Sequence, residues 1–397
     1  MKSLDEIRAE IDEVDGRIAA LYAKRMGLAF EVAEAKGGSG GSVNAPARER
    51  EILWRVAEKV KELADEAHAR DEDDVRRLAR GARLLFTTLF GISKARQRTM
   101  LRGRSPLVRR IEAAAAAAKP FPDAAVVACS GIDGSYAQQA VSRLFKFPSI
   151  LFFPDFEKVF EAVEKGLCPY GVLPIENSAV GSVSQVYDQM LKHRFHIARA
   201  IRVKVDHVLL AKPGTKLEDV KEVWSHPHAL AQCGGFIKTL GGAKAVPAAN
   251  TAVAARAVAQ GSAAGCAAIA SRSCADLYGL EVLAEGIADA SYNYTRFICI
   301  SRDFAITPDA GKFSVMMSLP HRPGALNTII SKFAAIDVNL TKLESRPEPG
   351  LDFEFRFAFD FDASPSDPAV LGLVGELAQD PEIEKFAFLG AYAEKPV

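Results

Sequence analysis

Apolar side chains recur every three or four positions from Leu4 to Val32. They are Leu4, Ile7, Ile11, Val14, Ile18, Leu21, Leu28 and Val32. This spacing predicts one long amphipathic helix, and Ser3 followed by Glu6 predicts a capping box at its start. Arg25 interrupts the apolar stripe. Because an unpaired buried charge costs several kcal/mol, Arg25 requires an anionic partner.

Two further cations, Arg8 and Lys36, flank the same stripe. At about 1.5 Å of rise per residue, Arg8 lies about 25 Å from Arg25 and about 42 Å from Lys36. One small ligand can contact all three only if Arg8 comes from a second copy of the helix, which predicts an intertwined dimer. The alternative is that each cation extends to solvent at the edge of the stripe.

Two more helical segments follow a glycine-rich turn. Arg48 and Glu49 open the second, and the third runs from about residue 71 to 101 and places Ser93 and Gln97 one turn apart. The pattern predicts an all-α module over residues 1–105. The basic run at 102–110 reads as a solvated linker and helix face, and residues 106–122 are predicted to link this module to the next domain.

Short apolar segments alternate with helical ones from residue 124 onward. The predicted strands are 125–129, 149–153, 171–175, 205–210, 222–224 and 267–269. Such alternation predicts an α/β domain over residues 123–302. Its length and a long crossing near His207 favour two lobes with a ligand cleft between them.

Polar clusters stand at several strand ends of this region. They are Gly131–Ser135, Glu176-Asn177-Ser178, Ser225-His226-Pro227, the segment around Gln232, and Asn293-Tyr294-Thr295-Arg296-Phe297. Thr295 and Arg296 combine a hydroxyl and a guanidinium at the start of a strand, so they could donate a proton to an anion and bind it. Each cluster alone is more often a helix cap or a turn.

The last segment, residues 311–397, alternates strand and helix patterns in the order βαββαβ. This order predicts an α+β, ferredoxin-like domain. Fold alone does not distinguish a structural domain from a regulatory one.

Composition narrows the classes of function. The 50 basic and 50 acidic residues cancel, so we expect neither nucleic acid nor membrane as a partner. Six cysteines occur without a CxxC pair, which argues against a zinc site and a disulfide framework. We expect no metal and no cofactor. The first residues lack the apolar core of a signal peptide, so we expect a cytoplasmic protein.

The helical module resembles the small all-helical chorismate mutase domain. The residues that match its substrate-contacting positions are Arg8, Arg25, Lys36, Arg48, Glu49, Ser93 and Gln97. The resemblance implies a dimer of three-helix chains in which Arg8 comes from the partner. It also implies that Lys36 and Gln97 act on the ether oxygen of chorismate. Ala45 departs from the pattern, because the family usually has an acidic residue in that loop.

The α/β region resembles prephenate dehydratase in the order and spacing of its five clusters. The resemblance implies a two-lobed fold like that of periplasmic binding proteins. It further implies that Thr295 donates a hydrogen bond or proton to the leaving hydroxyl and that Arg296 binds a carboxylate of prephenate. The remaining residues implied to bind or orient the substrate are Ser135, Glu176, Asn177, Ser178, Gln232 and Phe297.

The C-terminal segment resembles the ACT regulatory domain attached to prephenate dehydratases. The matching residues are Gly324, Ala325, Leu326, Asn339, Glu344, Ser345 and Arg346. The resemblance implies that phenylalanine binds there and inhibits the enzyme. The free N–H groups at the start of the predicted helix suit an amino-acid carboxylate.

We therefore expect a multidomain enzyme that converts chorismate to prephenate and prephenate to phenylpyruvate for phenylalanine synthesis, working as a homodimer. Two alternatives remain: a dehydratase with weak or lost mutase activity, and a non-catalytic amino-acid sensor. The sequence leaves open whether arogenate is accepted and whether dimers pair into tetramers.

Overall fold

The computed structural model describes residues 2–37, 45–347 and 355–395. Three long helices form the N-terminal region. They are α1 (Leu4–Gly37), α2 (Pro46–Glu62) and α3 (Glu72–Arg102). At the start of α1, the N–H of Glu6 donates to Ser3 Oγ at 3.2 Å and the N–H of Ser3 donates to the Glu6 carboxylate at 2.6 Å. The three predicted helices and the predicted capping box are therefore confirmed.

Within the described part of the chain, α1 packs through its C-terminal half. Met26, Ala29 and Ala33 are buried, and α1 contacts α3. The apolar positions from Leu4 to Leu21 are instead between 42% and 65% exposed. The first half of α1 thus carries an apolar stripe that the described residues leave uncovered.

The segment expected to be a solvated linker is partly a buried helix, α4 (Pro106–Ala116). Ser105 caps it by accepting from the N–H of Leu107 at 3.3 Å. Val108 and Ile111 are buried in the hydrophobic core of the C-terminal domain. The linker interpretation was wrong here, because the basic and alanine-rich residues surround an apolar pair at helical spacing.

The middle region contains two sheets. Its strands are β1 (Ala124–Ser130), β2 (Phe147–Phe153), β3 (Tyr170–Asn177), β4 (Gly181–Ser182), β5 (His196–Lys204), β6 (His207–Ala211), β7 (Glu222–Ser225), β8 (Lys244–Pro247), β9 (Cys266–Ser271), β10 (Glu281–Ala284) and β11 (Tyr294–Ser301). Its helices are α5 (Tyr136–Leu144), α6 (Phe156–Glu164), α7 (Ser184–His193), α8 (Pro227–Gln232), α9 (Gly234–Thr239), α10 (Thr251–Gln260) and α11 (Ser273–Tyr278).

The first lobe has the strand order β2-β1-β3-β11-β5, and the second has the order β10-β6-β9-β7-β8. The predicted two-lobed α/β organisation is confirmed. The strand predicted at 205–210 is β6, which begins two residues later at His207, so the chain crosses between the lobes at Val205 and Asp206. Strand β5 itself was not predicted.

The C-terminal domain has the βαββαβ order predicted from the sequence. Its elements are β12 (Lys312–Leu319), α12 (Ala325–Ala334), β13 (Leu340–Pro347), β14 (Phe355–Asp362), α13 (Pro368–Gln379) and β15 (Glu384–Lys395). The antiparallel order β13-β14-β12-β15 is ferredoxin-like.

This domain shares a sheet with the first lobe, because β15 pairs in parallel with β5. A Cβ at Gly390 would lie 2.5 Å from the carbonyl oxygen of Ile197, so the close approach requires glycine. Among the described residues, no helix is both long enough and apolar enough to cross a membrane.

Candidate functional site

A cleft of about 540 Å³ lies between the two α/β lobes. This volume is sufficient for a small organic ligand. The lining includes five of the predicted site residues, which are Ser135, Asn177, Gln232, Thr295 and Phe297. They come from both lobes. The structure therefore brings together side chains that are far apart in the sequence, such as Ser135 and Phe297.

Thr295 enters the cleft from the beginning of β11. It lies directly opposite Asn177 of β3 in the antiparallel register. The side-chain amide of Asn177 donates to Thr295 Oγ1 at 2.9 Å. Because opposed side chains of neighbouring strands share a face of the sheet, the two polar groups reach the same ligand space.

The structure separates Arg296 from Thr295. Neighbouring strand residues point to opposite faces of a sheet, and Arg296 lies opposite Glu176 on the face away from the cleft. Arg296, Glu176 and Ser178 instead line a smaller polar recess, together with residues of the C-terminal domain. The expectation that these three residues surround the cleft ligand is corrected by this geometry.

The charge of Arg296 is paired within the chain. Its guanidinium lies 2.5 Å from Asp360, 2.8 Å from the Tyr392 hydroxyl and 3.0 Å from Glu394. Burial alone would lower the pKa of Arg296, but Tyr392 and the two carboxylates raise it well above its usual value. Arg296 thus links β11 to the C-terminal domain.

The N-termini of two helices, which carry partial positive charge, lie at the cleft. Ser135 caps α5 by accepting from the N–H of Gln138 at 3.2 Å, and Asn250 caps α10 by accepting from the N–H of Val253 at 2.8 Å. Both caps line the cleft, whose described lining contains no lysine or arginine. A carboxylate in the cleft would therefore meet helix N-termini.

Asn293, His207 and Tyr136 are among the polar residues in or beside the cleft that were not predicted site residues. The Asn293 amide is 2.8 Å from that of Asn177 and 3.0 Å from that of Gln232. His207 lies 3.2 Å from both Gln232 and Tyr136. Asn293 opens the motif that contains Thr295, so its position in the sequence was a usable signal. His207 and Tyr136 carried none beyond lying near a predicted crossing and a turn.

The helical region holds a second group of predicted residues. Arg25 donates to the carbonyl oxygen of Leu89 at 3.2 Å and stacks over the Phe90 ring, with 5.4 Å to its centroid. Burial lowers the pKa of Arg25. Ser93 and Gln97 are buried one turn apart on α3. Arg25 therefore contacts α3 at Leu89 and Phe90, one to two turns before Ser93 and Gln97.

Gln97 carries a polar atom without a protein partner. It is 7% exposed, its amide nitrogen is 3.4 Å from Ser93 Oγ, and its Oε1 has no hydrogen-bond partner among the described residues. A serine hydroxyl can donate or accept, so the amide can equally turn its NH₂ toward the open side. Buried amide oxygens in folded proteins are usually paired with a protein group or an ordered water.

The other predicted helical residues are less enclosed. Arg8 is exposed and lies 3.5 Å from Asp5, and Arg48 lies 2.8 Å from Glu51. Glu49 lies 3.3 Å from Lys94. The structure therefore does not bring Arg8 together with Ser93 and Gln97 within one chain. The side chain of Lys36 lies outside the described residues, and so does the part of the loop that precedes Ala45.

The C-terminal motif residues fall into two groups. Gly324, Ala325 and Leu326 form the start of α12, where Gly324 adopts a φ of 82°. Glu344 and Arg346 of β13 contact the first lobe instead: Glu344 accepts from Ser182 Oγ, and Arg346 donates to the carbonyl oxygen of Ser184 at 2.9 Å. Asn339 and Ser345 are exposed.

Comparisons with known proteins agree with this division of the chain. Residues 127–305 match the family model described as prephenate dehydratase, and residues 7–98 match that of chorismate mutase type II. A solved structure described as prephenate dehydratase in complex with L-Phe, from Arthrobacter aurescens, is 33% identical. That match covers 68% of this chain and 89% of the other, with a TM-score of 0.61. The chain belongs to the prephenate dehydratase family.

Two other proteins similar to this chain have names that mention further activities. A solved structure described as GqqA, a novel type of quorum quenching acylase, is 29% identical, with a TM-score of 0.61 and coverage of 68% of this chain and 98% of that one. Arogenate dehydratase/prephenate dehydratase 1, chloroplastic, from Arabidopsis thaliana is 41% identical over 56% of this chain. The chain spans 57% of the length of that curated relative.

The prephenate dehydratase domain contains both lobes and the whole cleft, including Thr295 near the end of the matched range. The chorismate mutase domain contains α1 and α3 around Gln97. Both enzyme domains predicted from the motifs are thus present. The ferredoxin-like domain lies beyond both matched ranges.

Proposed function

We propose that this chain is a bifunctional enzyme that converts chorismate to prephenate and prephenate to phenylpyruvate, and that phenylalanine inhibits it through the C-terminal domain. The observation that carries the proposal is the Thr295 hydroxyl in the interlobe cleft, held by Asn177 at 2.9 Å. The membership of the chain in the prephenate dehydratase family supports the reaction class.

The dehydratase step breaks one C–C and one C–O bond. The electron pair of the bond to the departing carboxylate moves into the ring and expels the ring hydroxyl, which leaves as water after taking one proton. Prephenate dianion and one proton thus give phenylpyruvate, carbon dioxide and water. Aromatisation drives the step, so the site needs chiefly to stabilise the leaving oxygen. We assign Thr295 to the leaving hydroxyl and the helix N-termini at Ser135 and Asn250 to the carboxylates.

The mutase step rearranges one molecule without acid, base or cofactor. The protein holds the folded conformer and stabilises the charge that grows on the ether oxygen. Gln97, with its unpaired buried amide, and Lys36 are assigned to that oxygen. Arg25 and Arg48 are assigned to the carboxylates, because a guanidinium pairs with a carboxylate through two hydrogen bonds.

The mutase site is completed by a second chain in this proposal. The apolar stripe of α1 is exposed, and Arg8 lies on its exposed half. Mixing Arg8→Ala chains with Arg25→Ala chains tests this. If Arg8 acts across the dimer, inactive parents recover up to about one quarter of wild-type activity, since half of the random dimers hold one intact site. No recovery would place Arg8 and Arg25 in the same chain's site.

Inhibition by phenylalanine is supported by contacts between β13 and the cleft wall. Ser182 lines the cleft, donates to Glu344 and accepts from Lys342 at 2.8 Å. A change at β13 on effector binding would therefore reach the cleft directly. Leu326→Ala should weaken inhibition, and Asn327→Ala, at an exposed position of the same helix, is the control. If inhibition acts on affinity, phenylalanine and substrate weaken each other equally.

The deciding experiment supplies chorismate, prephenate and arogenate separately and follows each product. We expect Thr295→Ala to cut the dehydratase rate by orders of magnitude with near-normal substrate affinity, and Lys36→Ala to abolish only the mutase. A wild-type chain active on prephenate alone would favour the weak-mutase alternative, consistent with Ala45, which provides no side-chain cap for α2. A chain that binds phenylalanine but turns over no substrate would be a sensor.

A further inference from the structure

The orientation of the Asn177 amide is determined by the backbone around it. The N–H groups of Ala179 and Val180 donate to Asn177 Oδ1 at 2.9 and 3.0 Å. Backbone N–H groups only donate, so an oxygen must occupy that end of the amide. The NH₂ end therefore faces Thr295.

Both hydrogens of this NH₂ group have acceptors. One is Thr295 Oγ1 at 2.9 Å and the other is Asn293 Oδ1 at 2.8 Å. Thr295 is thus an acceptor toward Asn177. Its hydroxyl has a single hydrogen, and that hydrogen stays available for an acceptor in the cleft.

The donor-to-acceptor direction of these hydrogen bonds continues through Asn293 to the second lobe. Because Asn293 Oδ1 accepts from Asn177, its Nδ2 donates to Gln232 Oε1 at 3.0 Å. His207 Nε2 lies 3.2 Å from the same Gln232 oxygen, which fits a neutral imidazole with its hydrogen on Nε2. The Nε2 group of Gln232, a cleft residue, keeps its donors for a ligand.

We propose that Asn177 and Asn293 are positioning residues that direct the hydroxyl hydrogen of Thr295 and the amide hydrogens of Gln232 toward the leaving hydroxyl of the substrate. This rests on the proposed dehydratase function. Asn293 is 3% exposed and joins β11 of the first lobe to α8 of the second. The two donors are therefore oriented together only while the lobes are in contact through Asn293.

Asn177→Asp tests the direction of the hydrogen bond from Asn177 to Thr295, because aspartate has nearly the same shape as asparagine. One carboxylate oxygen still accepts from Ala179 and Val180, but the other accepts the hydrogen of Thr295 and withdraws it from the substrate. We expect kcat to fall about 10²- to 10³-fold while KM changes only a few-fold. In a Thr295→Ala background, the further effect of Asn177→Asp should be much smaller than its effect in the wild type, because only the part that passes through Asn293 to Gln232 remains.

The pH profile provides a second readout. The carboxyl group that Asn177→Asp introduces carries a donor again once it is protonated, so the kcat of this variant relative to wild type should rise as the pH falls. A purely structural role would not produce that rise. Asn250→Asp is the matched control, because it adds the same charge to the same cleft away from Thr295. Its effect should multiply with that of Thr295→Ala.

Asn293→Asp provides an independent variant in case Asn177→Asp folds poorly. It keeps the acceptor for Asn177 but removes the donor to Gln232, so kcat should fall and the fall should persist in the Thr295→Ala background. An inactive wild-type chain overturns both the proposed function and the positioning role. An active wild-type chain in which Asn177→Asp and Thr295→Ala losses multiply, with no rise at low pH, overturns the positioning role alone.

Discussion

Arg296 is a buried cation, 8% exposed, surrounded by Asp360, Glu394 and Tyr392. Ser314 extends the cluster, since its hydroxyl lies 2.7 Å from that of Tyr392. Paired buried charges add little net stability over an apolar core, but the loss of one partner leaves the other charge uncompensated. The cluster therefore makes the junction of β11, β14 and β15 sensitive to single changes.

We predict that Arg296→Ala lowers the free energy of unfolding by about 3–5 kcal/mol, because it leaves Asp360 unpaired in the interior. Denaturant titration measures this. The control is Arg202→Ala: Arg202 is half exposed and lies 3.0 Å from Glu394, so its loss should cost less than about 1 kcal/mol. If Arg296→Ala has normal stability and a raised KM for prephenate, Arg296 binds the substrate and the structural role proposed for it is wrong.

A second residue-scale prediction concerns His196 of β5. It contacts Arg110 at 3.2 Å and lies against the rings of Phe304 and Phe388. Burial, and next the charge of Arg110, lower the pKa of His196 from 6.5 to about 4. The unfolded chain thus binds a proton at higher pH than the folded one, so stability falls as the pH drops from 6.5 toward about 4.

Replacing His196 tests this linkage. His196→Phe should flatten the dependence of the unfolding free energy on pH across that window, whatever its effect on absolute stability. His321→Phe, at an exposed position, is the control. An unchanged slope in His196→Phe would show that other groups cause the acid sensitivity.

At the scale of elements, the first two thirds of α1 bury no residue against the rest of the described chain. Its residues from Leu4 to Lys24 are all exposed. Six apolar side chains between Leu4 and Leu21 share one face at a 3,4 spacing. An isolated helix gains most of its stability from packing such a face, so α1 needs a partner surface.

We predict that Ile18→Asp prevents self-association, because it places a charge in the α1 stripe. Sedimentation velocity of the full chain measures the change. Ala20→Asp is the matched control, since it adds the same charge to the exposed helix outside the stripe and should leave the association state unchanged. Equal behaviour of the two variants would assign dimerisation to another surface.

At the scale of the molecule, α3 connects the mutase helices to the C-terminal domain. Arg98 lies 2.8 Å from Asp380, and both side chains are buried. Lys94, next to Ser93, lies 3.3 Å from Glu49 and 3.7 Å from Glu382. Residues beside the proposed mutase site are therefore in ionic contact with the turn that follows α13.

We predict that Arg98→Ala destabilises the chain by about 3 kcal/mol and separates the unfolding of the helical region from that of the rest. Differential scanning calorimetry of Arg98→Ala would then show two separate unfolding transitions. In the wild type, these two transitions should overlap more. The control is Arg96→Ala, at an exposed position of the same helix. A single unshifted transition in Arg98→Ala would mean that this pair does not couple the domains.

The sequence by itself determined the three helices, the two α/β lobes and the βαββαβ domain, because each has a hydrophobic period of its own. Its motifs also located Ser135, Asn177, Gln232, Thr295 and Phe297, all of which line the cleft. The tertiary structure alone decided which face of β11 meets the ligand. Residues 296–301 of β11 are buried throughout, so no polar alternation distinguishes its faces. The C-terminal domain packs against one of these faces and surrounds Arg296 with its own carboxylates, so Thr295 faces the cleft without Arg296 beside it.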